Sequence, residues 1–242
     1  MAIKWPTDFP KVIQLTTIAW LKKHKNYIAA KAGCTDAAYK LACDLLKNEQ
    51  RLLKINDVSL KFPKAVYVGV HAKEEAGVNK IPIMLTKLIG ELTNQPVDDN
   101  IVQKTKVCRT GKDEIYRLAF RPKFDGNVKV GQEYILVDDV ISRGGTLSEL
   151  RFYIEKHGGK VVQMIAFAAS RYSTNIALTE ETKNSLISKY GMLGLQIYLK
   201  DCDLYEGNIG CLTEAEGRRI LLDGTRDRII KARQATSGKA FR

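Results

Sequence analysis

The segment YILVDDVISRGGTLSEL, residues 134–150, joins a pattern typical of the protein core to a group of polar residues. Four apolar residues at 134–137 predict a buried strand. Two adjacent carboxylates, Asp138 and Asp139, follow directly, and a short turn with two glycines comes next at 142–146. Packing alone does not explain two acidic side chains at the end of a core strand, so the segment indicates a functional site.

The sequence around this segment alternates buried strands with helices. Residues 1–60 are predicted to be mostly helical, and this includes VIQLTTIAWL at 12–21. Further strands are predicted at 65–70 and 161–169, and helices at 36–46, from about 79, at 146–157 and after about 213. Strands and helices that alternate at this spacing predict an α/β fold, with a parallel Rossmann-like sheet covered by helices on both faces.

A hairpin is predicted between the strand at 65–70 and the strand at 134–137. Residues 101–109 and 114–122 flank Thr-Gly-Lys-Asp at 110–113, a good turn sequence. In the second arm the apolar residues Tyr116, Leu118 and Phe120 alternate with others, as expected for a strand with one buried face.

Composition limits the class of protein. The chain has 242 residues, 45% of them hydrophobic, but no apolar run of the roughly 20 residues that a membrane span needs. Five cysteines without close pairs argue against a disulfide framework and a zinc site, which favours a cytoplasmic protein. The net charge of +12 favours an anionic partner: a nucleic acid, a membrane surface or a polyanionic small molecule.

The chemistry of the segment favours a sugar phosphate. Ligands of parallel sheets bind beyond the carboxyl ends of the strands, where Asp138 and Asp139 are expected. The turn at 142–146 runs into a helix N-terminus, whose unsatisfied N–H groups and positive dipole end suit a phosphate. The acids can accept hydrogen bonds from vicinal hydroxyls or hold Mg²⁺.

Four apolar residues, Asp-Asp, two apolar residues and Ser-x-Gly-Gly-Thr resemble the signature with which type I phosphoribosyltransferases bind phosphoribosyl pyrophosphate (PRPP). The match departs at Arg143, where that family usually has a small residue. A weaker similarity at 76–79 and 117–120 is to the competence-associated branch of phosphoribosyltransferase-like proteins.

The resemblance implies a role for each matching residue. Asp138 and Asp139 would hold the ribose hydroxyls, directly or as ligands of Mg²⁺. The 5′-phosphate would lie against Ser142, Arg143, Gly144, Gly145 and Thr146. Pyrophosphate would bind the loop His71, Ala72, Lys73 and Glu74, with Lys73 as its natural partner.

The predicted hairpin corresponds to the mobile lid of that family. Its cations, with Arg117 in a catalytic role, would stabilise the charge that develops on pyrophosphate; they are Lys104, Lys106, Arg109, Lys112, Arg117 and Arg121. The resemblance implies transfer of phosphoribose from PRPP to a nucleobase or related acceptor, in a homodimer. It divides the chain into a helical flank at 1–60, a core at 61–190 and a C-terminal hood at 191–242.

Other interpretations are compatible with the same residues. Thr146 and Glu149 have the spacing of a capping box, which would use the first amides of the helix for its own cap. Lys73 is also compatible with a solvated charge, His71 with a backbone-binding role, and Tyr172 with packing or with stacking on a base. The same fold also suits a PRPP-sensing regulator, and the basic tail suits a nucleic-acid-binding protein; its cations are Arg218, Arg219, Arg226, Arg228, Lys231 and Arg233.

Overall fold

The computed structural model describes residues 3–6, 8–71, 79–104, 113–170 and 173–237. The strands are β1 Ile13–Thr16, β2 Val66–Gly69, β3 Val102–Gln103, β4 Phe124–Asp125, β5 Glu133–Ile141 and β6 Lys160–Ala169. The helices of the first half are α1 Ile18–Lys23, α2 Tyr27–Lys31, α3 Thr35–Leu46, α4 Glu49–Lys61, α5 Ile81–Thr93 and α6 Glu114–Ala119. Those of the second half are α7 Gly145–Lys156, α8 Glu180–Tyr190, α9 Met192–Asp201, α10 Glu214–Ile220 and α11 Thr225–Ser237.

Four parallel strands form the main sheet in the order β1-β6-β5-β2. The long strands β5 and β6 are central, and Val137 of β5 is in register with Ile165 of β6. The sheet confirms the predicted parallel α/β architecture. It also extends β5 beyond residue 137, so that Asp138 and Asp139 are part of the strand, close to its carboxyl end.

Helices cover both faces of this sheet, as predicted. Ile135 and Val137 of β5 pack into a core cluster that includes residues of α3, α4 and α5. The alternate residues Tyr134 and Leu136 pack into a second cluster with Leu147, Leu150 and Ile154 of α7. This alternation is the two-residue period of a strand that is buried on both sides.

The prediction of a helix at 12–21 is wrong in its first half. Residues 13–16 form β1, which adds an edge strand next to β6. The helix begins only at Ile18, because Thr17 caps it by accepting a hydrogen bond from the backbone N–H of Trp20. The N-terminal flank is therefore part of the central sheet.

The prediction of a strand at 114–122 is also wrong. Asp113 caps α6 by accepting a hydrogen bond from Tyr116 N at 2.7 Å. Ile115, Leu118 and Ala119, at helical spacing, are buried with residues of α9 and α11 in a third core cluster. The antiparallel partner of β3 is instead β4, at residues 124–125. Residues 110–112 of the predicted turn lie outside the described residues.

Within the described ranges, no helix combines the length and the apolar character needed to cross a membrane.

Gly69 allows α5 to pack closely on β2. A Cβ added at Gly69 would lie 2.5 Å from Thr86 Oγ1 and 3.1 Å from the Pro82 carbonyl oxygen. We expect Gly69→Ala to lower the free energy of unfolding by about 1–3 kcal/mol through overpacking. Urea denaturation measures the change. The control is Gly194→Ala on the exposed side of α9, where stability should instead rise by about 0.5–1 kcal/mol. Equal effects at both positions would contradict the predicted close packing.

Candidate functional site

Asp138 and Asp139 are both buried near the carboxyl end of β5, with exposures of 8% and 5%. Each carboxylate turns back onto the next backbone amide. Asp138 Oδ1 accepts from Asp139 N at 2.8 Å, and Asp139 Oδ1 accepts from Val140 N at 2.7 Å. Both acids are therefore held in one orientation by the strand itself.

Two residues that sequence reasoning missed complete the surroundings of Asp139. Its second oxygen, Oδ2, accepts hydrogen bonds from Lys31 Nζ at 2.7 Å and from Asn79 Nδ2 at 2.8 Å. The Asn79 side chain is oriented by its own oxygen, which accepts from Ile81 N at 3.2 Å. Lys31 is 108 positions from Asp139 along the chain, so no local pattern signals the contact.

Burial raises the pKa of Asp138 well above the ordinary carboxyl range, and the neighbouring charge of Asp139 raises it further. The Asp139 backbone N–H and the Lys31 ammonium oppose this shift. Burial lowers the pKa of Lys31, but the charge and hydrogen bond of Asp139 outweigh it, so the net pKa is raised. The cluster therefore makes ionisation of Asp138 less favourable and stabilises the positive charge of Lys31.

The turn at 142–146 is held rigidly next to the acid pair. Gly144 is the N-cap of α7 with φ +77°, and it makes no side-chain cap bond. A Cβ at Gly144 would lie 2.6 Å from Ile176 Cδ1. The Ser142 carbonyl oxygen accepts from Ser170 Oγ at 2.9 Å and from Ser173 Oγ at 2.5 Å. The loop therefore presents backbone at the positive end of the α7 dipole.

Two contacts involving arginines join this loop to α6. Arg117 of α6 donates from its guanidinium to Ser142 Oγ at 2.5 Å, so the structure brings together two residues predicted from the sequence. Arg143 forms an ion pair with Glu114 of α6. Glu114 Oε2 also lies 3.5 Å from Arg219 Nε of α10. The start of α6 is thus tied to the loop.

Arg121 is not a lid cation, contrary to its predicted place in the hairpin. Its buried guanidinium lies 2.6 Å from Glu149 and 2.6 Å from Glu216, and it donates to the Gly145 carbonyl oxygen at 3.0 Å. Glu149 is therefore an ion-pair partner of Arg121 and not the cap of α7 that the capping-box interpretation proposed. Arg121 instead supports the loop from within the protein.

The remaining predicted residues are only partly described. The His71 ring lies between two backbone carbonyl oxygens, with Nδ1 2.8 Å from Gly69 O and Nε2 3.2 Å from Asp99 O. This agrees with the backbone-binding interpretation of His71. Lys104 lies 3.9 Å from Asp125, across the β3–β4 pair. Outside the described residues lie Ala72, Lys73, Glu74, Lys106, Arg109, Lys112 and Tyr172.

The second oxygen of Asp139 does not fit as a ligand of a Mg²⁺ ion. Mg²⁺ takes oxygen ligands in octahedral geometry at about 2.0–2.1 Å, usually one or two carboxylates with waters and substrate phosphates. Asp139 Oδ2 already accepts two hydrogen bonds, one of them from the ammonium of Lys31. Across the described parts of the chain, no group of three or more His, Cys, Asp and Glu side chains is arranged to hold a metal.

Three arginines of the basic C-terminal region have acidic partners within the fold. Arg218 binds Glu214, Arg226 binds Asp201, and Arg233 lies 3.0 Å from Asp203. The net charge of +12 already includes these acids, so the pairs change the local charge around the arginines and not the total.

Comparison of the sequence with known proteins finds relatives that match this chain over part of their own length. No protein-family model matches the sequence. Protein TraN of Escherichia coli is 36% identical over 233 residues, which cover 93% of this chain and 50% of TraN. An uncharacterized protein of Haemophilus influenzae is 37% identical over 156 residues, covering 64% of this chain and 34% of that protein. The chain thus spans half or less of the length of these curated relatives.

Solved structures similar to this chain include phosphoribosyltransferases. Adenine phosphoribosyltransferase from Saccharomyces cerevisiae matches with a TM-score of 0.35 at 14% identity. The match covers 52% of this chain and 73% of the chain of that enzyme. Orotate phosphoribosyltransferase from Aeropyrum pernix has a TM-score of 0.29 at 12% identity and covers 51% of this chain and 74% of its own. At these levels of overlap, the function has to be argued from the geometry of the site.

The raised pKa of Asp138 predicts a pH-dependent cost to stability. A carboxyl whose pKa is raised by folding stabilises the folded state below its unfolded pKa, and this contribution is lost as pH rises through the folded pKa. Asp138→Asn removes the titration. We compare the free energy of unfolding of Asp138→Asn with that of the wild type, and we expect the difference in favour of the variant to be small in acid. Above the ordinary carboxyl range, this difference should grow by up to about 1.4 kcal/mol per pH unit.

Urea denaturation at a series of pH values measures this difference. The control is Asp57→Asn at an exposed position on α4, which measures the effect of removing a carboxyl from the surface. A flat difference for Asp138→Asn would show that ionisation of this carboxyl carries no folding penalty.

Proposed function

We propose that the protein binds PRPP at the carboxyl end of β5 and transfers its phosphoribosyl group to a nucleobase or related acceptor. One observation carries this proposal: a fixed, buried pair of carboxyl groups lies on a central parallel strand that leads into a glycine N-cap without a side-chain cap bond. A strand and helix joined for packing alone would not need the buried acids, which destabilise the fold unless they are compensated.

Each half of the site suits one part of the ligand. The carboxyl oxygens of Asp138 and Asp139 suit the vicinal hydroxyls of ribose, because a carboxylate accepts and a hydroxyl donates. The 5′-phosphate suits the backbone of 142–146 at the start of α7, where the helix dipole favours an anion. Arg117, in contact with Ser142, adds a cation on the same side.

The proposed reaction exchanges one bond at the anomeric carbon. The bond to the pyrophosphate oxygen breaks and pyrophosphate leaves with the electron pair, while a nitrogen of the acceptor forms the new bond and loses its proton. Negative charge grows on the leaving group, so a cation beside the pyrophosphate would stabilise the transition state more than the ground state. Binding the hydroxyls and phosphate at fixed points aligns the anomeric carbon for attack.

A second candidate is a regulator that binds PRPP without turnover. The ion pair between Lys31 and Asp139 favours it, because it compensates the buried acid within the protein itself. The acceptor base has no assigned site among the described residues, which is compatible with either function.

Replacing both acids tests whether the site binds PRPP. We expect Asp138→Asn combined with Asp139→Asn to abolish PRPP binding while the fold is kept, because each lost hydrogen bond to a charged group costs about 1.5–3 kcal/mol. Isothermal titration calorimetry measures the affinity. The matched control is Glu180→Gln with Glu181→Gln, two adjacent exposed acids on α8. Unchanged PRPP affinity in the Asp138 and Asp139 variant would refute the assignment.

Release of pyrophosphate separates the enzyme from the regulator. We expect wild-type protein with PRPP and a panel of purine and pyrimidine bases to release pyrophosphate with at least one base, and the double Asn variant to release none. A coupled pyrophosphate assay measures this. Tight PRPP binding without release for any base would favour the regulator.

A further inference from the structure

Asp139 already has a positively charged partner inside the protein. Lys31 Nζ lies 2.7 Å from Asp139 Oδ2, and the Asn79 amide donates to the same oxygen at 2.8 Å. The Asp139 side chain is buried and that of Lys31 is 29% exposed. This contact therefore differs from an exposed surface ion pair, which contributes little.

The fold holds Lys31 in this position. It is the last residue of α2, where a cation also interacts favourably with the helix dipole. The preceding residue, Ala30, is fully buried, and its carbonyl oxygen accepts from Lys80 N at 3.2 Å. Asn79, which shares Asp139 with Lys31, is next to Lys80 in the chain. The end of α2 and the start of α5 thus approach β5 together.

The ammonium supplies a positive charge at the carboxylate that the sequence resemblance implies as a metal ligand. A divalent cation at Asp139 Oδ2 would have to displace Lys31 or lie within a few ångströms of its positive charge, where repulsion is strong in a buried site. The two donors also use the lone pairs through which this oxygen would ligate a metal. This disagrees with the Mg²⁺ role that the sequence resemblance implies for the acid pair.

We propose that Lys31 is a built-in cation of the sugar site, which lets the acid pair bind vicinal hydroxyls without a divalent metal. The proposal rests on the proposed function, since it takes a ribose 5-phosphate unit as the ligand. Lys31 is a positioning residue: together with Asn79 it holds Asp139 Oδ2, and it leaves lone pairs on the other three carboxyl oxygens of the pair to accept from the hydroxyls. The N-terminal flank, for which the family resemblance provides no role, thereby contributes to ligand binding.

A purely structural role for Lys31 predicts a different outcome. If the ion pair only anchors α2 to the sheet, removing Lys31 changes stability but leaves the metal dependence of sugar binding as it was. Metal dependence is therefore the informative measurement, and stability alone is not.

Ribose 5-phosphate is the suitable probe, because it carries the hydroxyls and the phosphate but lacks the pyrophosphate that itself binds Mg²⁺. Isothermal titration calorimetry compares its affinity in EDTA and in excess Mg²⁺. For the wild type we expect the two affinities to agree within about twofold. For Lys31→Met we expect a loss of about tenfold or more in EDTA, the size of one charge-assisted hydrogen bond, with partial recovery in Mg²⁺.

Lys25→Met, at an exposed lysine just before α2, is the matched control and should behave as the wild type. Lys31→Arg keeps the charge and should retain metal-independent binding better than Lys31→Met. The wild-type comparison requires no variant, so a folding defect in Lys31→Met does not prevent the test.

Each remaining outcome contradicts a defined claim. Sugar binding by the wild type that requires Mg²⁺, or Lys31→Met binding in EDTA like the wild type, would overturn the role of Lys31 while leaving the proposed function in place. Wild-type protein that binds neither ribose 5-phosphate nor PRPP in either buffer would overturn the proposed function, and the role of Lys31 with it.

Discussion

The burial of two adjacent carboxyl groups in a central strand is the constraint on which the rest of this structure depends. Charged groups inside a protein require partners, because their transfer from water is costly. At Asp139 these partners are the ammonium of Lys31 and the amide of Asn79. That requirement draws the end of α2 and the start of α5 to the carboxyl edge of the sheet, where a ligand of a parallel sheet is expected to bind.

A second buried charge organises the other side of the same edge. Arg121 lies between Glu149 of α7 and Glu216 of α10 and also binds the Gly145 carbonyl oxygen. Burial lowers the pKa of Arg121, but the negative charges around it outweigh this effect, so it stays charged and holds both helices. The backbone of the turn at 142–146 is therefore held at two carbonyl oxygens. Arg121 of the ion cluster binds that of Gly145, and Ser170 and Ser173, after β6, bind that of Ser142. A loop fixed in this way can present its amides to a phosphate at little entropic cost on binding.

Asp138 affects the stability of the fold and is also part of the proposed ligand site. Its raised pKa indicates that the folded protein tolerates this carboxyl near the ligand site at the expense of stability. Such a group is worth retaining only where it contacts a ligand or tunes a neighbour. The N-terminal flank and the C-terminal helices both take part in this arrangement, through Lys31 and Glu216, so the proposed sugar site depends on regions beyond the segment that resembles phosphoribosyltransferases.

The sequence by itself determined the elements that depend on neighbouring residues. The apolar run before Asp138, the glycine turn and the helix after it, and the parallel sheet were all predictable, because burial patterns and glycine conformations are local properties. The pattern at 114–122 predicts a strand because short apolar patterns fit both periods, and only packing against α9 and α11 selects the helix at 114–119. Tertiary structure alone decided the partners of the charges. Lys31 reaches Asp139 across 108 residues, and Arg121 reaches Glu216 across 95, since which charges meet depends on how distant elements pack.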